Sequence, residues 1–157
     1  MKITEIHEPA EKRSISAAVL YALPDWFGLP DSTKEYIEQS SSMPFFSAYI
    51  DGAAIGFAAL KLTAPRTAEV YVMGVVPEHH RCGAGRALYQ ALERRAMELG
   101  CRYIQVKTVR MGRYKEYDRT NHFYQAMGFE EFECFPSLWD EWNPCQIYVK
   151  YIGEHHD

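Results

Sequence analysis

The apolar positions of the chain alternate between a helical and a strand period, with glycine and proline at most of the switches. Residues 2–7 read as a short strand. Pro9 suits a first helical position, and Ile15, Ala18, Val19 and Ala22 then recur at helical spacing to about Leu23. Pro24, Gly28 and Pro30 interrupt the pattern around Asp25, Trp26 and Phe27. A second helix is predicted from the capping-box spacing of Ser32 and Glu35 ahead of Tyr36 and Ile37, fraying through Ser40, Ser41 and Ser42 to Pro44.

From Phe45 the strand period takes over. Phe45–Ile50 and residues 53–63 flank Asp51-Gly52, a strong hairpin signal, and a turn at Ala64, Pro65 and Arg66 leads into residues 67–76. These three runs predict an antiparallel meander. From about Ala84, Leu88, Ala91, Leu92, Ala96 and Leu99 share one helical face, which Gly100 closes. Residues 102–109 alternate again, with Ile104 and Val106 on one side and Tyr103, Gln105 and Lys107 on the other. Strand, helix and strand in that order predict a crossover, making 67–76 and 102–109 parallel neighbours. A last helix covers about 117–127 and stops at Gly128. Residues 129–135 and 145–152 close the chain as strands, joined by a loop bearing Trp139 and Trp142. No repeat or linker intervenes, so one α/β domain is expected over residues 1–157.

Composition narrows the function classes. Of 157 residues 47% are apolar and 24% charged, with a net charge of −4, so neither nucleic acid nor an anionic membrane is an expected partner. No apolar run approaches the roughly 18 residues of a membrane span, and the first residues lack a signal-peptide core, which predicts a cytoplasmic protein. Cys82, Cys101, Cys134 and Cys145 are scattered without a Cys-x-x-Cys pair, and free thiols rather than a metal site are expected. The 11 tyrosines are unusual and suggest the walls of a site.

The stretch from Glu69 to Ala87 carries the first chemical signal. An apolar β-branched run ends at Val76 and Pro77, and His79, His80 and Arg81 lead into Gly83-Ala84-Gly85 and a helix. A glycine loop at a helix start offers unpaired N–H groups and the positive end of the dipole to an anion. It is not a P-loop, since no Gly-Lys-Ser/Thr follows, and Leu88 stands where a dinucleotide fingerprint needs a small residue. The second signal is Phe123-Tyr124-Gln125-Ala126-Met127-Gly128-Phe129.

Together these motifs and the element order resemble the GCN5-related N-acetyltransferase (GNAT) family over the whole chain. That family's Gln/Arg-x-x-Gly-x-Gly/Ala signature is matched by His80-x-x-Gly83-x-Gly85, with His80 the departure, and its Tyr-x-x-x-Gly-Phe ending by Tyr124 to Phe129. The resemblance implies a mixed, mostly antiparallel α+β sheet of six to seven strands with helices on both faces. Its fourth and fifth strands would be parallel and splayed around acetyl-CoA. His80, Arg81, Cys82, Gly83, Ala84, Gly85 and Arg86 would hold the pyrophosphate, and the strand backbone at Val75 and Val76 would meet the cofactor and the oxyanion. Asn121 would be a further cofactor contact, displaced from the family slot that Tyr117 occupies.

Tyr124 would protonate the departing thiolate, and Glu69, eleven residues before His80, would collect the amine's proton or bind its charge. Trp26, Phe27, Tyr71, Trp139 and Trp142, with nearby carboxylates, suit a small cationic amine as acceptor. By strand alternation Tyr71 and Met73 would share a face with Glu69. Gly74 would ease a bulge or close cofactor approach. Neither metal nor covalent enzyme intermediate is implied, and homodimers are common in the family. The alternatives are a non-catalytic acyl-CoA-binding or regulatory module, and a protein N-terminal or lysine acetyltransferase.

Overall fold

In the computed structural model, residues 1–153 are described, and the last four positions of the expected domain lie outside them. The elements in chain order are β1 (Lys2–Ile6), α1 (Pro9–Tyr21), α2 (Pro30–Ser40), β2 (Phe45–Ile50), β3 (Ala53–Ala64), β4 (Thr67–Val75), a 3₁₀ turn (Pro77–His79), α3 (Ala84–Glu98), β5 (Tyr103–Val109), α4 (Lys115–Ala126), β6 (Glu130–Asp140) and β7 (Asn143–Tyr151). They form one seven-stranded sheet in the order β1-β2-β3-β4-β5-β7-β6. Among the described residues only β4 and β5 pair in parallel; the other neighbours are antiparallel.

Both faces of the sheet are covered. On one, α1 and α2 bury Ile15, Val19 and Leu20 against Phe45, Phe57 and Val72. On the other, α3 and α4 pack Leu88, Tyr89, Leu92, Tyr124 and Met127 over Val70, Ile104 and Tyr148. Each apolar stripe runs at helical spacing, although its edges differ from expectation. In α1 the inward row runs through Lys12, Ile15, Ser16, Val19 and Leu20, while Ala18 is exposed. In α3 Tyr89 is buried, whereas Leu99 is 38% exposed because it has become the cap where the helix ends.

Three local expectations are corrected. The predicted capping box is unused: α2 begins at Pro30, a residue that brings no N–H, with Leu29 before it and no side-chain cap. Thr33 instead donates its hydroxyl to the carbonyls of Phe27 and Leu29. Second, β6 continues to Asp140, so Trp139 lies in the strand and only Glu141 and Trp142 form the turn. Its pairing with β7 lapses between Phe135 and Asp140, next to Pro136, which has no N–H to donate. Third, Gly74 serves helix packing: a Cβ there would come 2.9 Å from Leu23 Cδ1 and 3.2 Å from Val19 Cγ1, so its absence lets α1 lie directly on β4.

The site is positioned by a fork in the sheet. β4 and β5 pair only at Thr67, Ala68 and Glu69, opposite Tyr103, Ile104 and Gln105. Beyond Glu69 they separate. A bulge helps: Leu60 faces Val70 and Ala59 faces Val72, leaving Tyr71 as an extra residue. The bulge also resets the alternation. Val70 packs toward α3 but Val72 toward α1, so Met73 turns to the α3 side while Tyr71 stays opposite it. The expectation that Glu69, Tyr71 and Met73 share one face therefore fails at Met73.

Candidate functional site

A cleft of about 1420 Å³ follows the fork. At one end lies the start of α3. Gly83 is its cap residue at φ 87°, where a side chain would be strained, and no side chain caps the helix. The first intrahelical bond in this turn runs from the Ala87 N–H to the Gly83 carbonyl, so the amides before it have no helical acceptor. Gly85 packs closely on Phe123 of α4: an added Cβ would sit 3.3 Å from its ring, which would have to give by a few tenths of an ångström. Arg81, also left-handed at φ 62°, and Arg86 are exposed cations lining this end. The result is an electropositive backbone cradle.

His80 occupies its slot differently from a phosphate donor. Its Nε2 lies 2.6 Å from the Val75 carbonyl, so the ring donates to strand β4. The neighbouring peptide is pinned from the other side, because Val76 gives its N–H to the Ile55 carbonyl at 2.9 Å. In an antiparallel ladder, alternation then turns the backbone groups of Val75 and Met73 away from β3, into the fork. Val75 thus turns its amide toward the cleft; Val76 does not, since its N–H is taken.

Tyr124 of α4 lines the cleft and is only 5% exposed, held between Phe123 and Phe129 at ring-centroid distances of 5.3 and 5.5 Å. Burial raises its pKa well above that of a free phenol. Among the described residues its hydroxyl forms no side-chain hydrogen bond, leaving the proton available to a bound molecule.

Glu69 stands at the crotch of the fork, 5% exposed, with Lys107 Nζ 3.2 Å from Oε2. Two tyrosines feel its charge. Tyr71 is pushed up to about 12, first by burial and then by Tyr36, Glu35 and Glu69; Tyr36 is raised by burial and then by Glu69. Phe27, Tyr36 and Tyr71 form an edge-to-face row beside it, with centroids 5.7 and 5.3 Å apart.

Several expected contacts sit elsewhere. Asn121 is fully buried, and its amide donates to the carbonyls of Val109 and Tyr117 while accepting the Tyr148 hydroxyl. It ties α4 to β5 and β7 and does not line the cleft. Cys82 turns its thiol to the His79 carbonyl, Ala84 is buried, and Trp142 is 69% exposed; none of these side chains lines the cleft. Trp139 does. Asp140 is occupied by its own turn, accepting from the backbone of Trp142 and Asn143, which holds its pKa below the usual range after the larger effect of the Asn143 side chain. Sequence reasoning missed Tyr36, Lys107 and Thr120. A tyrosine on a helix, an alternating strand lysine and a helix threonine carry no signal until the fold brings them to one cleft.

A sheet forked at a single parallel pair, with an open helix start at the mouth of the fork, is the architecture of an acyl-group transferase of the GNAT type. The chain belongs to that family: the sequence model described as the acetyltransferase (GNAT) family matches residues 7–129. No curated protein sequence matches the chain. Solved structures do. A GNAT-family protein from Desulfovibrio desulfuricans superposes with a TM-score of 0.80 at 19% identity, over 97% of this chain and 99% of that one. An aminoglycoside 6′-N-acetyltransferase in complex with coenzyme A gives 0.77 at 18%, over 100% of both chains. The ribosomal-protein-S18-alanine N-acetyltransferase of Escherichia coli gives 0.79 at 16%, over 99% and 96%.

Proposed function

We propose that the protein transfers an acetyl group from acetyl-CoA to a small-molecule primary amine by direct attack while both are bound. The observation carrying this reading is the fork, which joins an uncapped helix start at one end to a buried carboxylate at the other. The residues fit the cofactor: free amides at Gly83 to Arg86 and the side chains of Arg81 and Arg86 suit a pyrophosphate, and the separated strands leave room for an extended arm. Acetyl-CoA would supply an activated acyl group and a thiolate leaving group.

The remaining work falls to the chain. The Val75 amide, turned into the fork, is the donor for negative charge developing on the acyl oxygen. Tyr124 gives its proton to the departing sulfur. Its raised pKa is no obstacle, because the same low-dielectric surroundings destabilise an unsolvated thiolate, whose ordinary pKa is about 8.5. Glu69, paired with Lys107 at the crotch, attracts the acceptor's ammonium and takes up its proton through water. The rings of Tyr36 and Trp139 offer faces to a cationic amine, while the Tyr71 ring beside them already carries Lys61 Nζ 5.6 Å from its centroid.

The test is coenzyme A thiol release from acetyl-CoA across a panel of a polyamine, an aminoglycoside, free amino acids and a peptide with a free N-terminus. Release with a small amine supports the proposal. Release with the peptide alone reassigns the acceptor to a protein N-terminus. Coenzyme A binding with no release from any amine overturns catalysis in favour of a binding module.

A further inference from the structure

Both positions at which the chain departs from its family's pattern, His80 and Tyr117, touch the same residue. The Tyr117 hydroxyl donates to the Trp26 carbonyl at 2.8 Å, and the His80 ring meets the Trp26 ring edge-on at 5.8 Å. Trp26 Nε1 donates to Thr120 Oγ1 at 3.3 Å, and the Arg119 guanidinium lies 5.9 Å from its ring. A half-buried loop residue is thereby joined to α4 through three side chains and to the phosphate loop through a fourth. Its N–H is committed and Arg119 is already near its ring, so Trp26 is poorly placed to receive a cationic acceptor. It is well placed to connect the two sides of the fork.

The connection continues in both directions. Toward the cofactor, His80 holds the Val75 carbonyl, on the residue whose amide faces the reacting centre. Toward the acceptor, the next residue is Phe27, whose ring meets Tyr36, which in turn meets Tyr71 beside Glu69. We propose that Trp26 is a positioning residue, which couples occupancy of the cofactor cradle to the order of the acceptor wall. His80 and Arg119 both line the cleft, so they are the side chains through which a filled cradle reaches Trp26. The loop at 24–29 then gains a fixed Trp26 against which Phe27 can set the aromatic row. This rests on the acetyl-CoA reading of the cleft, and its test separates the two.

The test is backbone hydrogen exchange over residues 24–29 with and without saturating coenzyme A, with binding followed independently by calorimetry. The Trp26 and Phe27 amides both bond the Leu23 carbonyl, so exchange there reports the loop directly. Coenzyme A should slow exchange in the wild-type loop by about tenfold, a typical coupling between sites. Trp26→Ala should abolish that slowing at saturating coenzyme A, whose affinity should weaken by no more than the same tenfold. Thr120→Val, which removes the Nε1 acceptor together with the hydroxyl's own bond to the Glu116 carbonyl within α4, should reduce the slowing. His80→Ala should reduce it too, and His80→Gln, which keeps an N–H for Val75, should restore it in part; a purely structural role would give no such rescue. Equal slowing in wild type and Trp26→Ala, or none in wild type with coenzyme A bound, overturns the coupling alone. Failure of coenzyme A to bind wild type overturns the cofactor reading and the coupling together.

Discussion

At the Gly83 end of the cleft the groups that face inward are backbone amides, placed by one helix start and one left-handed glycine. At the Glu69 end they are side chains from the loop after α1, from α2, β3, β4, β5 and β6, several of them paired with one another, as Glu69 is with Lys107 and Tyr36 with Phe27 and Tyr71. A backbone cradle depends on φ and ψ, so its shape does not rest on which side chain fills the slot of His80. A side-chain wall depends on every partner at once. The difference predicts that cofactor binding is broken by changes in backbone conformation, and acceptor recognition by changes in side-chain pairing, with the reacting centre between them sensitive to a single atom.

The largest effect should come from that centre. Tyr124→Phe keeps the ring between Phe123 and Phe129 and removes a hydroxyl that bonds no side chain among the described residues. Thermal stability should stay within about 0.5 kcal/mol of wild type. Turnover should fall by about 10²-fold, the scale of a lost general acid, with coenzyme A affinity unchanged. Steady-state kinetics beside calorimetry read both, and unchanged turnover would remove the role.

Next, Gly83→Val places a β-branched residue at φ 87°, although open space surrounds its Cβ. Strain rather than collision is the defect. At about 1–2 kcal/mol for an unfavourable left-handed residue, the loop should shift and coenzyme A should bind about tenfold more weakly. Wild-type affinity in the Gly83→Val enzyme would show that the arginines, not the amides, anchor the cofactor.

This division explains what could be read in advance. The order of strands, the parallel pair and the cradle follow from periodicity and two glycines, signals local in the chain. The fork was expected from resemblance, but the bulge at Tyr71 beside it is a register event between Ala59 and Leu60 that no spacing announces. It sent Met73 to the other face. Asn121 was expected as a cofactor contact because it is the asparagine nearest the family slot that Tyr117 fills, yet its side chain is engaged by Val109, Tyr117 and Tyr148. Asp140, one of the carboxylates beside the aromatic residues, caps its own turn. In each case a polar side chain found a partner distant in sequence or created by a local turn, and pairing of that kind is decided by the tertiary fold.

A smaller effect should appear at high pH, and at the acceptor end first. Tyr71 and Tyr117 are both pushed up to about 12, chiefly by burial, against about 10 in an unfolded chain. Between these values the folded state binds more protons than the unfolded one, so stability present below pH 10 is lost as pH rises toward 12. Ionisation of Tyr117 also ends its donation to the Trp26 carbonyl. The thermal midpoint should therefore decline over this range, and Tyr117→Phe should flatten the decline. A midpoint that falls identically in the variant would place the sensitive phenol elsewhere.

The smallest expected effect separates two tryptophans three residues apart on the final hairpin. Trp139 is 44% exposed and lines the cleft, in the part of β6 where pairing with β7 lapses after Phe135. Trp142 is 69% exposed in the turn, where only its backbone is used, donating to Asp140. Trp142→Ala removes a ring that the cleft does not feel and leaves the Asp140 cap intact. Its acceptor KM and kcat should stay within about twofold of wild type, as for most surface substitutions, while Trp139→Ala raises the acceptor KM without changing coenzyme A affinity. An acceptor KM that rises in Trp142→Ala and not in Trp139→Ala would reverse the assignment. The wall would then extend past the turn, and the acceptor would be larger than the cleft between β4 and β6.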